Sequence, residues 1–206
     1  MTINGQSQAK SSRIVREWRE FYRDDDSQLP ECMKNFGFSP DELDDASKNG
    51  AIYKGVITMI IAEGARDFGQ KRTTLRDVRD LDVEDHHIYP QQFLRGFGIK
   101  GYAANSVLNR TPILGSTNRA ISADAPHTYT TNSAIVGDNV MSDSDFAKHG
   151  ISGPVLREEF SPALFLKFRV DRRGRLVQMI LACTGHQVAG ALTPEDHLSP
   201  AYTEEA

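Results

Sequence analysis

Asp85, His86 and His87 stand side by side, followed by Ile88-Tyr89-Pro90, and two asparagines, Asn109 and Asn118, come after them. Histidine titrates near neutral pH, which makes it the natural base for taking a proton from water. An asparagine carbonyl is a hard oxygen donor suited to magnesium or manganese. A base, a divalent cation and a scaffold that holds them in line are what hydrolysis of a phosphodiester requires. The pattern therefore points to a metal-assisted cut in a nucleic-acid backbone. Neighbouring side chains on a strand face opposite ways, so one of two adjacent ligands must stand at a bend to share a site. Pro90 fits a strand that stops abruptly and leaves His87 exposed at a turn. Asn118, on a short helix, can face the histidines, with a helix-cap role as its alternative. Asn109 reads as a turn residue fixing the loop that presents His87.

Charge supports this locally and not globally. The net charge of −4 argues weakly against nucleic acid. From His86 through Ala123, however, there is no Asp or Glu, while Arg95, Lys100, Arg110 and Arg119 are present. A phosphodiester needs a non-repulsive surface only where it binds. Lys100, Arg110 and Arg119 are the candidate DNA contacts. Arg169, Arg172, Arg173 and Arg175 either extend a DNA groove or form a solvated helix face. His127 is a candidate further ligand; His149, His186 and His197 have no visible partners in the sequence.

The elements that must position these residues are mostly helical. Ile14, Val15, Trp18, Phe21 and Tyr22 recur at helical spacing, predicting a helix over 12–24 after a frayed segment 1–11. Ser39-Pro40-Asp41-Glu42 reads as a helix start, with the helix ending near Gly50. Residues 51–68 read as a central buried helix that packs closely at Gly64, followed by a charged linker over 71–80. Brief strands are expected at 87–89 and 106–108, and helices opening at 117 and 142. A long helix over 160–188 is expected to kink or break at Gly174. The expectation is one domain over 12–198, mainly α with a small embedded ββα element at 82–126, and a disordered tail over 199–206. No apolar run spans a bilayer and no secretory signal is visible, which implies a reducing cytoplasm. Cys32 and Cys183 form no CxxC pair and read as buried small hydrophobes.

Asp-His-His-Ile-Tyr-Pro, then Asn-Ser-Val-Leu-Asn-Arg-Thr, then Thr-Asn-Arg-Ala-Ile-Ser resembles the His-Asn-His (HNH) endonucleases of the ββα-metal fold. It is most like the C-terminal nuclease domain of GmrSD-type restriction proteins. The resemblance covers about residues 82–126, with Glu63 to Phe68 and the arginine-rich helix as further likenesses. It implies His87 as general base, His86 as a metal ligand, Asn118 as the second ligand and Asn109 as the middle, loop-supporting position. Asp85 is the alternative to His86 at the metal. The cofactor implied is one divalent cation, Mg2+ or Mn2+, and the products are a 5′-phosphate and a 3′-hydroxyl. The implied partner is DNA, modified or foreign, with no membrane; the implied role is restriction of phage or foreign DNA. The restriction family commonly carries a ParB-like nucleotide-dependent domain before the nuclease. This sequence does not, so the resemblance leaves two readings, a fragment of such a protein or a separate subunit with a nucleotide-dependent partner, and a homodimer is a further option. Two other readings stay open: a nuclease-like binding module without catalysis, and a DHH-type phosphoesterase.

Overall fold

The computed structural model describes residues 3–24, 28, 30–31, 38–46, 48–69, 73–78, 82–136 and 140–184. The chain divides into two compact units, residues 1–38 and 39–206, where one domain over 12–198 was expected. In the first unit, helix α1 (Ile3–Phe21) begins well before residue 12, so the backbone expected to fray is helical. Gln6, Gln8, Ala9 and Lys10 are good helix formers, and no glycine or proline follows Gly5 within the helix. Near its end Trp18 stacks on Tyr22, with centroids 5.6 Å apart, and meets Phe21 edge-on. Cys32 lies outside the described residues.

The second unit opens on α2 (Glu42–Asp45). The Ser39 N–H donates to Glu42 Oε1 at 3.0 Å, the reach-back half of a capping box. The helix ends at Asp45, short of Gly50. Helix α3 (Ala51–Ala62) turns Tyr53, Val56, Met59 and Ile60 inward. It stops there because Gly64 takes φ +75, a left-handed conformation that closes helices. Gly64 N–H then donates to Ile61 O at 3.0 Å and Ala65 N–H to Ile60 O at 3.3 Å. Gly64 thus ends the helix instead of packing inside it. Part of the expected linker is folded, with Leu75 buried in a 3-10 turn over Leu75–Asp77.

Strand β1 (Val83–His87) pairs antiparallel with β2 (Arg110–Leu114), Val83 opposite Leu114 and His87 opposite Arg110. Both strands are displaced from the expected positions. Ile88 and Tyr89 turn into the core instead of extending β1. Ser106 Oγ accepts from Leu108 N–H at 3.1 Å, which winds Val107–Asn109 into a 3-10 turn and delays β2 to Arg110. Two short helices, α4 (Gln91–Arg95) and α5 (Tyr102–Asn105), lie between the strands. Helix α6 (Gly115–Ile121) follows β2 without a linker and packs on both strands. The short helices α7 (Pro126–Tyr129), α8 (Ser133–Val136), α9 (Asp143–Ala147) and α10 (Gly153–Arg157) come next, and Ser142 and Asp145 cap each other at the start of α9, as expected. The core gathers Phe68, Ile88, Tyr89, Ile113, Tyr129 and Phe168 around this ββα unit.

The long helix α11 (Pro162–Thr184) runs through Gly174 without a break. Its expected termination signals and the tail over 199–206 lie outside the described residues, and Cys183 is exposed instead of buried. Among the described residues no helix is long and apolar enough to cross a membrane.

The arginines of α11 overturn both expectations for them. Arg169, Arg172 and Arg173 are spaced so that one helix face carries all three, and that face is buried. Asp44 of α2 receives Arg169 on one carboxylate oxygen and Arg173 on the other, each at 2.7 Å. Arg172, fully buried, donates to the Arg110 carbonyl at 2.6 Å. Only Arg175 is at the surface, paired with Asp171 at 2.8 Å. The arginines are structural pins between α2, β2 and α11. Removing the one carboxylate between two buried guanidinium groups leaves uncompensated charge. Asp44→Asn should lower unfolding free energy in urea by about 3–5 kcal/mol; a loss below about 1 kcal/mol would show that the pair carries little of the fold.

Candidate active site

The site is built on the sharp end of β1. Asn109 is fully buried, and its side chain spans the turn that follows His87. Its Oδ1 accepts from Tyr89 N–H at 2.9 Å, and its Nδ2 donates to the Tyr89 and Ala104 carbonyls at 3.0 and 2.9 Å. Its own carbonyl accepts from Ile88 N–H at 2.9 Å. Tyr129 adds a hydroxyl bond to the Ile88 carbonyl at 2.8 Å. Asn109 therefore holds the bend and, with no exposure, does not reach a substrate, which corrects its candidacy as a catalytic residue.

Alternation along β1 sorts the candidates onto two faces. Glu84 and His86 share one face with Asn118. His86 Nδ1 donates to Asn118 Oδ1 at 2.8 Å, and Asn118 Nδ2 donates to Glu84 Oε2 at 2.7 Å. Asn118 is in the middle of α6, not at a cap. His86 is buried against Phe68 and Tyr129, and burial pulls its pKa down to about 4, offset in part by the Asn118 bond. It is neutral at pH 7, the form that ligates a metal. Its Nδ1 and the Asn118 oxygen converge on one proton, and a divalent cation can take that proton's place. Among the described residues no three His, Cys, Asp or Glu side chains cluster as a metal cage. The donor set fits a cation that draws its remaining ligands from water and substrate, the habit of magnesium.

Asp85 and His87 occupy the opposite face. Asp85 forms an ion pair with Arg110 and lies 3.4 Å from Lys48 Nζ. This engagement, away from Asn118, removes Asp85 as the alternative ligand. His87 Nε2 lies 3.0 Å from the Gln91 amide nitrogen and 3.3 Å from Asn105 Oδ1. The two contacts ask for opposite tautomers: the Gln91 amide donates to a bare Nε2, and Asn105 Oδ1 accepts from a protonated one. Burial, followed by the Arg110 charge, lowers the His87 pKa below the ordinary histidine value. A neutral histidine at a partly open edge is competent to take a proton at Nε2 in the first of these tautomers.

The other expected contacts divide. Arg110 is buried, bound to Asp85 and to the Asn105 carbonyl at 3.0 Å, and so is not a DNA contact. Arg119 is exposed but pairs with Glu84 at 3.3 Å. Lys100 is exposed beside Gln91 and Asn105. His127 makes no contact with His86 or Asn118 that would add it to the site. His186 and His197 lie outside the described residues.

Sequence reasoning missed Glu84, Gln91, Asn105 and His149. Glu84 was findable as the residue two before His86 on an alternating strand. Nothing marks His149, yet it is fully buried, with Nδ1 2.7 Å from Thr111 Oγ1 and Nε2 2.8 Å from the Arg66 carbonyl. Thr111 is the residue opposite His86, so His149 backs the His86 side of the sheet. Burial pulls its pKa down to about 3.

No family model and no solved structure matches the chain. It is similar to an uncharacterized protein from Methanocaldococcus jannaschii, 31% identical over 130 residues. The match takes in 60% of this chain and 22% of that protein, so the chain spans about a fifth of the relative's length.

His86 and His149 are bases whose folded pKa values lie below the unfolded value near 6.5. Their contribution to stability is whole above about pH 6.5 and is lost as pH falls toward the folded values, because the unfolded chain binds protons that the fold refuses. Between about pH 6.5 and 4.5 each should remove about 1.4 kcal/mol per pH unit. His149→Gln should lower the pH slope of urea stability by about one proton; an unchanged slope would refute a buried neutral His149.

Proposed function

We propose that this chain is a metal-dependent endonuclease of the ββα-metal, His-Asn-His type that hydrolyses DNA phosphodiester bonds. The observation that carries the reading is the 2.8 Å approach of His86 Nδ1 to Asn118 Oδ1. It joins a strand histidine to a helix asparagine within a ββα unit whose bend Asn109 fixes. When bound there, Mg2+ or Mn2+ supplies positive charge that offsets the charge growing on the phosphate and the leaving oxygen.

His86 and Asn118 would hold the cation; burial keeps His86 neutral, and with its proton moved to Nε2 the one ring lone pair would lie on Nδ1, facing the Asn118 oxygen. His87 acts as base from the other side of the strand end. A water at the place of the Gln91 amide gives its proton to Nε2 as its oxygen bonds to phosphorus. The bond from phosphorus to the 3′ oxygen breaks, and that oxygen takes a proton from solvent. A 5′-phosphate and a 3′-hydroxyl result. Arg110 and Asp85 set the charge around His87 and do not touch the substrate. Restriction of phage or foreign DNA, and a nucleotide-dependent partner or second copy, rest on the family resemblance alone.

Supercoiled plasmid with Mg2+ or Mn2+ tests the proposal. Wild type should nick or linearise it, and His87→Ala should cut roughly 10²–10⁴-fold more slowly while still shifting DNA in a gel. Asn118→Ala should need more cation for the same rate. Equal cleavage by wild type and His87→Ala removes His87 as base, and a mobility shift without any cleavage favours a binding module.

A further inference from the structure

Cations around the motif are mostly spent inside the protein. Lys48 and Arg110 pair with Asp85, Arg119 with Glu84, and Arg169 and Arg173 with Asp44. Arg172 is consumed by the Arg110 carbonyl. Arg95 and Lys100 differ: both are exposed, and neither enters an ion pair among the described residues. They line one cleft of about 40 Å3, together with Gln91 and Asn105.

Gln91 and Asn105 are the side chains that touch His87 Nε2. The cleft therefore shares two walls with the proposed base. No carboxylate lines it, in keeping with the absence of Asp and Glu from 86 through 123. One water needs about 10–15 Å3 by this kind of measure, so the cleft holds one phosphoryl group and not a nucleoside. A compact anion with several acceptor oxygens matches the two cations, while the Gln91 amide is engaged by His87 and Asn105 and the Asn105 amide by the Gly101 carbonyl. In the same loop Phe97 and Tyr102 are 48% and 80% exposed, flat surfaces on which bases can stack.

We infer that the cleft of Arg95, Lys100, Gln91 and Asn105 is a subsite for a backbone phosphate of a polynucleotide, next to the one that is cut. The proposal rests on the endonuclease reading for the position of the scissile phosphate. It makes the substrate a polymer: the chain needs a neighbouring phosphate to seat the bond beside His87. It would also give a chain of net negative charge an affinity for DNA, since these two cations lie where the backbone would pass.

The test is fluorescence anisotropy with a labelled duplex of about 20 base pairs in EDTA, over a range of salt, using the full chain. Contact with one phosphate contributes about one to the slope of log affinity against log salt. Arg95→Ala with Lys100→Ala should weaken binding roughly tenfold at low salt and flatten that slope by about one. Arg95→Lys with Lys100→Arg should keep it. Both side chains are exposed, and matched thermal midpoints check that the fold is kept. A slope that does not move overturns the subsite, including when inorganic phosphate still perturbs the cleft in an NMR titration. If the slope flattens but wild type cuts no plasmid in Mg2+ or Mn2+, the subsite stands and the endonuclease reading falls.

Discussion

A single buried amide sets the geometry around which the second unit is arranged. The side chain of Asn109 makes three hydrogen bonds across the turn after β1, and its backbone carbonyl makes a fourth contact with Ile88. A strand that simply continued would carry Ile88 and Tyr89 along the sheet, one on each face. The clamp turns both into the core, where Tyr89 packs against Phe165 and Phe168. His87 is left as the last residue of β1, opposite Arg110. A buried amide with its bonds unmade costs more than the bonds return when made, so the turn is all-or-none. Few other side chains offer two donors and an acceptor in one plane at this size.

Beneath that turn the scaffold is held by charge as well as by apolar packing. α11 reaches β2 through Arg172 and α2 through Arg169, Arg173 and Asp44. Two cations on one buried carboxylate leave a net positive field in the core, to which Arg172 adds. Burial pulls the Arg172 pKa down to about 9, still well above neutral, so the charge persists. The Arg172 charge also lowers the pKa of His86 and of His149, a minor addition to what burial does to both. An apolar replacement of equal volume could match the packing but would not supply this addition.

Local chemistry was legible in the sequence where a residue type has one strong use. Pro90 after two apolar residues announced the end of β1. Ser142 with Asp145 announced a helix start. Asn109 read as the turn residue it is, and a helix carrying Asn118 was placed within two residues of α6. What failed were features decided by distant partners. Arginines at helical spacing on a polar helix look like a solvated face, and partners far along the chain turn them inward: Asp44, 125 residues from Arg169, and the Arg110 carbonyl, 62 residues from Arg172. Ser106 in an apolar run looks like strand until its hydroxyl winds the chain at Leu108. His149 has no local signature because its partners, Thr111 and the Arg66 carbonyl, lie 38 and 83 residues away. Gly64 was misread for a simpler reason: mid-helix and end-of-helix glycines differ only in φ.

The two faces of β1 constrain the chemistry more than any single residue. His86 with Asn118 and Glu84 occupies one face, and His87 with Gln91 and Asn105 the other. Groups on opposite faces of a strand can act on one phosphate only where the strand ends and the backbone no longer separates them. His87 is that last residue, and the Asn109 clamp is what stops the strand there. Under the proposed endonuclease reading, a substrate backbone would cross the end of β1, with the cation side on one flank and the base on the other. On the base flank, past Gln91 and Asn105, the next charges met are Arg95 and Lys100. On the cation flank Glu84 already holds Arg119, so a phosphate arriving there would compete with a carboxylate. On that reading the asymmetry would give the backbone one favourable direction of approach, set by Arg95 and Lys100, the cations near the strand end that enter no ion pair among the described residues.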